Sequence, residues 1–214
     1  MRNDLVNLRK IEKMANFVLK NGLRLHNDSI TLFNKKCYPS AFFISVLALE
    51  EIGKFFLIED FWWHSQVDGR MEKEWEERFI KSIYFHRTKQ NSFAYNMYGP
   101  VATSKFAKEL FNGDIETKKQ NAVYVGFPRD KREINLKGKI NNPINISRIK
   151  ASNQITNIND KIIEFTLGVV KKVYCVETNQ AEKALNKKLY EKLRKIWSIT
   201  NLLTNRRLKR LEKV

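Results

Sequence analysis

Leu47-Ala48-Leu49-Glu50-Glu51-Ile52-Gly53-Lys54-Phe55-Phe56-Leu57-Ile58 sets three charges and a glycine into an otherwise apolar run. Phe42-Phe43 precede it and Phe61-Trp62-Trp63 follow it. A helix of that composition is hydrophobic nearly all round, the mark of a buried central element. Residues 41–63 are long enough to cross a bilayer, but they carry Glu50, Glu51, Lys54, Glu59 and Asp60. Each Asp or Lys at the centre of a spanning helix costs about 2.5–3.5 kcal/mol, so insertion is excluded. The expectation is the core helix of a water-soluble, mainly α fold.

The rest of the chain agrees with that centre. Of its 214 residues 43% are hydrophobic and 29% charged, enough to bury a core. Eight Gly and four Pro leave long uninterrupted stretches, which favours helices over a turn-rich β architecture. The length suits one domain spanning 1–214. Its helical core covers about 14–112 and 147–213, with an irregular insertion at about 116–146. A first helix, about Met14 to Asn34, carries Met14, Val18, Leu25 and Leu32 on one stripe. Lys35-Lys36 suit its negative end, and Pro39 suits the first turn of a second helix running to about His64, so the pair is joined tightly and antiparallel. After a polar break at 66–73, a third helix is expected from about Glu72 to Tyr98, stopping at Gly99-Pro100. A short one follows at Ser104–Phe111. Val123-Tyr124-Val125 and Ile134-Asn135-Leu136 suggest a small hairpin in the insertion. Long C-terminal helices close the chain. The first bears Ile155, Ile158, Ile162, Phe165, Val169 and Val173, and the last bears Leu185, Leu189, Leu193, Ile196 and Leu203.

Forty Lys+Arg against 23 Asp+Glu give a formal charge of +17. Such an excess favours RNA, DNA, ribosomes or an acidic protein as partner, and equally suits a solvated basic surface. The basic tail Arg206, Arg207, Lys209, Arg210 carries the same two readings, phosphate contact or a solvated helix end. Cys37 and Cys175 have no CxxC spacing, and the N-terminus has no apolar signal core. A cytoplasmic, reduced location is expected.

Chemistry concentrates on the second and third helices. Glu50 lies four residues and Glu51 three from Lys54, so one ammonium can meet both carboxylates, with Glu51 nearer the apolar side. Gly53 gives another backbone room to approach. On one continuous third helix, Trp75, Phe79, Ser82, His86, Lys89 and Phe93 share a stripe, with Arg78 at its edge. Packing it on the second helix gathers Glu50, Glu51, Lys54, His86 and Lys89. Such a cluster can do acid–base work or fix helix register as a static network. His26, His64 and His86 have no ligand-like spacing, so no metal and no cofactor is expected. P-loop, dinucleotide-binding and nucleophile-elbow patterns are absent from the sequence.

With these residues the chain resembles the AbiV family of bacterial abortive-infection proteins. The resemblance rests on Gly22-Leu23-Arg24-Leu25, Tyr38-Pro39-Ser40-Ala41, Leu47 to Lys54, Phe85-His86-Arg87-Thr88-Lys89-Gln90, Lys119 to Val125 and Pro143. It covers roughly residues 14–165. It implies a HEPN-like antiparallel helical bundle and a homodimer. It also implies phage resistance: a block to phage multiplication through nucleic acid or translation, with a phage-encoded protein as trigger and RNA or the ribosome as target. Many HEPN-type domains are metal-independent RNases with an arginine followed, after about four to six residues, by a histidine. Arg78 and His86 have seven residues between them, and Lys81 is the wrong residue type, so that motif is not carried over. Three readings remain: an effector that binds RNA, ribosomes or a phage protein; an RNase using His86 with Lys54, Lys89 or Arg78; and a non-catalytic binding module.

Overall fold

The computed structural model describes residues 7–67, 72–95, 104–130 and 133–214. Their regular structure is helical apart from one small hairpin. The central element is α2 (Tyr38–Val67), whose buried residues run right round it, from Phe42, Val46 and Leu49 to Phe55, Ile58 and Phe61. It packs along α1 (Leu8–Asn34) and against α4 (His86–Ala94), α6 (Asp114–Asn121) and α7 (Arg148–Val170). No helix among the described residues is long and apolar enough to cross a membrane.

α1 starts with Asn7 accepting the Lys10 N–H at 3.2 Å. It ends with Lys36 at φ 63°, while the N–H of Cys37 reaches back to the Leu32 carbonyl at 2.9 Å. That is the left-handed helix stop usually given to glycine, here built on lysine. α2 begins at once, so the two helices lie antiparallel, as Pro39 and the double lysine imply. The buried face of α1 is Ile11, Ala15, Val18, Leu19, Gly22, His26 and Ile30. Of the expected stripe only Val18 lies on it; Met14, Leu25 and Leu32 flank it half-buried.

The expected third helix is two. α3 (Lys73–Ser82) stops where the Ser82 hydroxyl turns back onto the Phe79 carbonyl at 2.7 Å. Ile83-Tyr84-Phe85 make a turn, and α4 restarts at His86. The single stripe from Trp75 to Phe93 therefore does not exist: Trp75 and Phe79 stack on Phe61, while His86, Lys89 and Phe93 belong to another helix. Of the expected polar break at 66–73, residues 68–71 lie outside the described residues, as does the expected stop at Gly99-Pro100; residues 66 and 67 still belong to α2, and Lys73 opens α3.

α5 (Ser104–Asn112) runs one residue past the short helix expected at 104–111, and Gly113 at φ 81° turns the chain directly into α6. Residues 114–121 are thus helix, and irregular structure starts only at residue 122. Val123-Tyr124-Val125 are exposed and not a strand. The hairpin pairs β1 (Arg129–Asp130) with β2 (Glu133–Ile134), followed by a short 3-10 turn at Pro143–Asn145.

Ser147 caps α7, which is buried along most of its length. The expected last helix is three pieces: α8 (Asn179–Ala184), α9 (Lys187–Ile196) and α10 (Leu202–Glu212). Asn186 accepts the Leu189 N–H and restarts the chain as α9; Ile199-Thr200-Asn201, poor helix formers, separate α9 from α10. These pieces are pinned to the core by polar ties. Glu59 of α2 accepts the N–H groups of Glu177 (2.7 Å) and Thr178 (3.4 Å) at the start of α8. Asp160 accepts from Asn201 and Thr204, and Glu164 from Arg207. His26, fully buried, meets Asn159, whose amide reaches the Trp197 carbonyl.

Candidate functional site

Gly53 decides where α4 lies. A Cβ there would stand 1.9 Å from the Lys89 carbonyl oxygen, so only glycine lets the two backbones cross at this point. One turn back along α2, Glu50 meets the first turns of α4. Its side chain is 3% exposed. One oxygen lies 2.6 Å from His86 Nδ1 and 3.9 Å from Lys89 Nζ. The other accepts from Gln90 Nε2 and Lys119 Nζ, each at 2.9 Å. The Lys119 ammonium also contacts Glu116 at 2.7 Å. Glu50 is therefore paired and hydrogen-bonded on both oxygens, the condition for keeping a carboxylate in a core.

Electrostatics follow from that crowding. Burial alone would lower the Lys119 pKa, but its bonds to Glu116 and Glu50 outweigh it and hold the ammonium above its ordinary value. Burial would likewise raise Glu116, yet the bonds from Lys119 and Gln120 bring it below the usual carboxylate range. Lys89 is lowered, chiefly by burial, with Glu50 opposing. The cluster thus holds two carboxylates and two lysines around a histidine whose side chain is 56% exposed. Nδ1 is taken up by Glu50, and Nε2 has no protein partner among the described residues. A ring held from behind by a buried carboxylate leaves its other nitrogen placed for proton transfer.

Glu51 and Lys54 bond neither Glu50 nor His86, although both charges act on Lys89. Glu51, half-buried, accepts from Asn21 of α1 at 2.9 Å. Glu50, and not Glu51, is the carboxylate in the core, and its cations are Lys89 and Lys119 in place of Lys54. Lys54 Nζ lies 5.4 Å from the centre of the Tyr84 ring. Arg78, 78% exposed, pairs with Glu74 on its own helix. In the basic tail Arg207 is half-buried on Glu164, while Arg206, Lys209 and Arg210 are exposed. The sequence reading missed Lys119, Glu116 and Gln90. Lys119 and Gln90 both stand within the family-like runs, but the first falls in the stretch expected to be an irregular insertion. Glu50, His86 and Glu116 each bring a ligand atom within 4.8 Å of the others, a set that could take a metal ion. The Lys119 ammonium already lies against all three, 3.4 Å from His86 Nδ1.

A family model described as AbiV, of the HEPN type, matches residues 10–164, from α1 through most of α7. The chain belongs to the AbiV family. That family is one of abortive infection, so membership points to phage defence, and the helical bundle agrees with a HEPN-type fold. Neither the curated proteins nor the solved structures contain a match.

Proposed function

We propose that this AbiV-family protein blocks phage multiplication by acting on RNA, with His86 as the proton-transferring group. The observation that carries the reading is the half-exposed imidazole held through Nδ1 by buried Glu50. Its surroundings support the substrate class. Tyr84 and Phe85, immediately before His86, are 69% and 63% exposed and offer faces on which bases can stack. Lys54, beside Tyr84, supplies a positive charge at the same edge. The net charge of +17 favours a polyanion. Exposed aromatic rings of this kind also suit a second copy of the chain, which would bring two histidines together; a homodimer is part of the proposal.

The test is a phage plaque assay on cells carrying wild type or His86→Ala, with RNA integrity and protein synthesis followed through infection. Protection and RNA loss should both disappear in the variant while its thermal melt stays close to wild type. The burial and charge balance of Glu50, Lys119 and Glu116 favour one competing reading, a purely structural network. Full protection by His86→Ala would establish that alternative.

A further inference from the structure

α5, α6 and the first half of α7 enclose a cavity of about 490 Å³, floored by the buried rings of Phe42 and Phe106. That volume is in the range of small-molecule sites, which combine an apolar body with a few convergent polar groups. The walls here are rich in side-chain amides. Some are committed: Asn141 donates to the carbonyls of Asn121 and Tyr124, and Asn201 to Asn157 and Asp160. Gln154 is not. It lines the cavity at 3% exposure, and its Nε2 has no hydrogen-bond partner. A buried amide donor without an acceptor is costly, and the cavity is where an acceptor can come from.

Charge at the rim is unbalanced. Lys118 is neutralised by Glu109 at 2.9 Å. Lys105 of α5 and Lys150 in the first turn of α7 have no carboxylate within ion-pair distance among the described residues; the Lys150 ammonium reaches only the Asn145 carbonyl at 3.4 Å. The start of α7 adds the positive end of a 23-residue helix dipole beside Lys150. Two lysines and a helix N-terminus suit a dianion better than a single carboxylate.

We infer that this cavity binds a small phosphate ester, its phosphate at Lys105 and Lys150 and its hydrogen-bonding body against Gln154. The inference does not depend on the role of His86, which lies beyond α6. Sugar phosphates and nucleoside monophosphates share this chemistry, and the probes separate them. Thermal melts and calorimetric titrations of the full chain would use glucose 6-phosphate and adenosine 5′-monophosphate, with glucose, adenosine and inorganic phosphate as controls.

One ester should raise the melting temperature by several degrees at millimolar concentration, above its phosphate-free parent and above inorganic phosphate. The ester that does so names the body. The double variant Lys105→Ala/Lys150→Ala, both surface positions, should weaken its binding about tenfold or more. Gln154→Leu should weaken the ester while leaving the response to inorganic phosphate unchanged. Two results would overturn the inference: esters that bind no better than inorganic phosphate, or ester binding untouched by the double lysine variant, which would place the anion elsewhere on a basic surface.

Discussion

Replacing Gly53 by alanine sets two physical effects against each other. Helix propensity alone favours alanine by about 1 kcal/mol. Packing opposes it, because the new Cβ would lie 1.9 Å from the Lys89 carbonyl oxygen, 2.8 Å from its carbon and 3.3 Å from Phe93 Cβ. The obstacle is backbone, so α4 has to retreat by about 1.1 Å to reach even the 3.0 Å floor of real Cβ contacts. Overpacking of that kind costs about 1–3 kcal/mol. The same retreat pulls His86 and Gln90 away from Glu50, now 2.6 and 2.9 Å away, loosening two buried hydrogen bonds at about 1 kcal/mol each. The balance is a loss of about 2–4 kcal/mol, equivalent to about 5–15 °C in melting temperature for a chain this size. Urea unfolding reads the free energy directly. Gly22→Ala is the control, since its Cβ meets side chains and no backbone (Ile52 Cδ1 at 2.8 Å and Cγ1 at 3.1 Å, Glu51 Cβ at 3.4 Å) and should cost less. If Gly53→Ala were as stable as wild type or more so, the close crossing of α2 and α4 would be wrong, and the site geometry with it.

Other perturbations read separate features. Lys36→Gly and Lys172→Gly relieve left-handed backbone at φ 63° and 56° and should each stabilise by about 0.5–1 kcal/mol, measured by thermal melts. Lys119→Ala takes from Glu50 and Glu116 the ammonium nearest to each and should cost about 3–5 kcal/mol. Added Zn²⁺ should recover part of that loss in the variant and not in wild type, because Glu50, His86 and Glu116 are then free to act as ligands; an equal response in both would contradict the placement of Lys119. Glu59→Ala strands the N–H groups of Glu177 and Thr178 and should cost about 2–4 kcal/mol by urea unfolding. Burial holds the His26 pKa at about 4, below the 6.5 of the free side chain, so between those values the unfolded chain takes up the proton that the folded chain refuses. Stability should therefore fall as pH drops from 6.5, by about 3 kcal/mol at pH 4, and His26→Gln should flatten that limb of the stability–pH curve.

The parts of the fold legible in the sequence were those written as long apolar periodicity. α2 announces itself through its phenylalanines, and Lys35-Lys36 with Pro39 mark the antiparallel turn. The breaks at Ile83–Phe85 and around Asn186 and Asn201 were hidden, because apolar residues continue at helical spacing across them and only local capping interrupts the backbone. In the site, Glu50, His86 and Lys89 were brought together from the wrong premise of one continuous third helix; the true cause is the crossing at Gly53. Lys119 was invisible for a different reason. α6 is short and strongly polar, and only Ile115 and Lys119 on it are buried, so no apolar stripe marks its inward face. Glu51 was preferred to Glu50 because helix-wheel angles cannot say that α1 supplies Asn21 to one and α4 supplies His86 to the other.

The polar ties to the C-terminal pieces bear on how the chain may be shortened. Family similarity stops at residue 164, yet Phe165 packs against Phe55 and Phe56, and Glu59, Asp160 and Glu164 find their partners beyond that point. A chain cut at the edge of the similarity would open the central helix to water and strip three acids of their partners. The limit of the family match falls inside the packed core, so trimming to that limit would remove part of the core instead of an appendage.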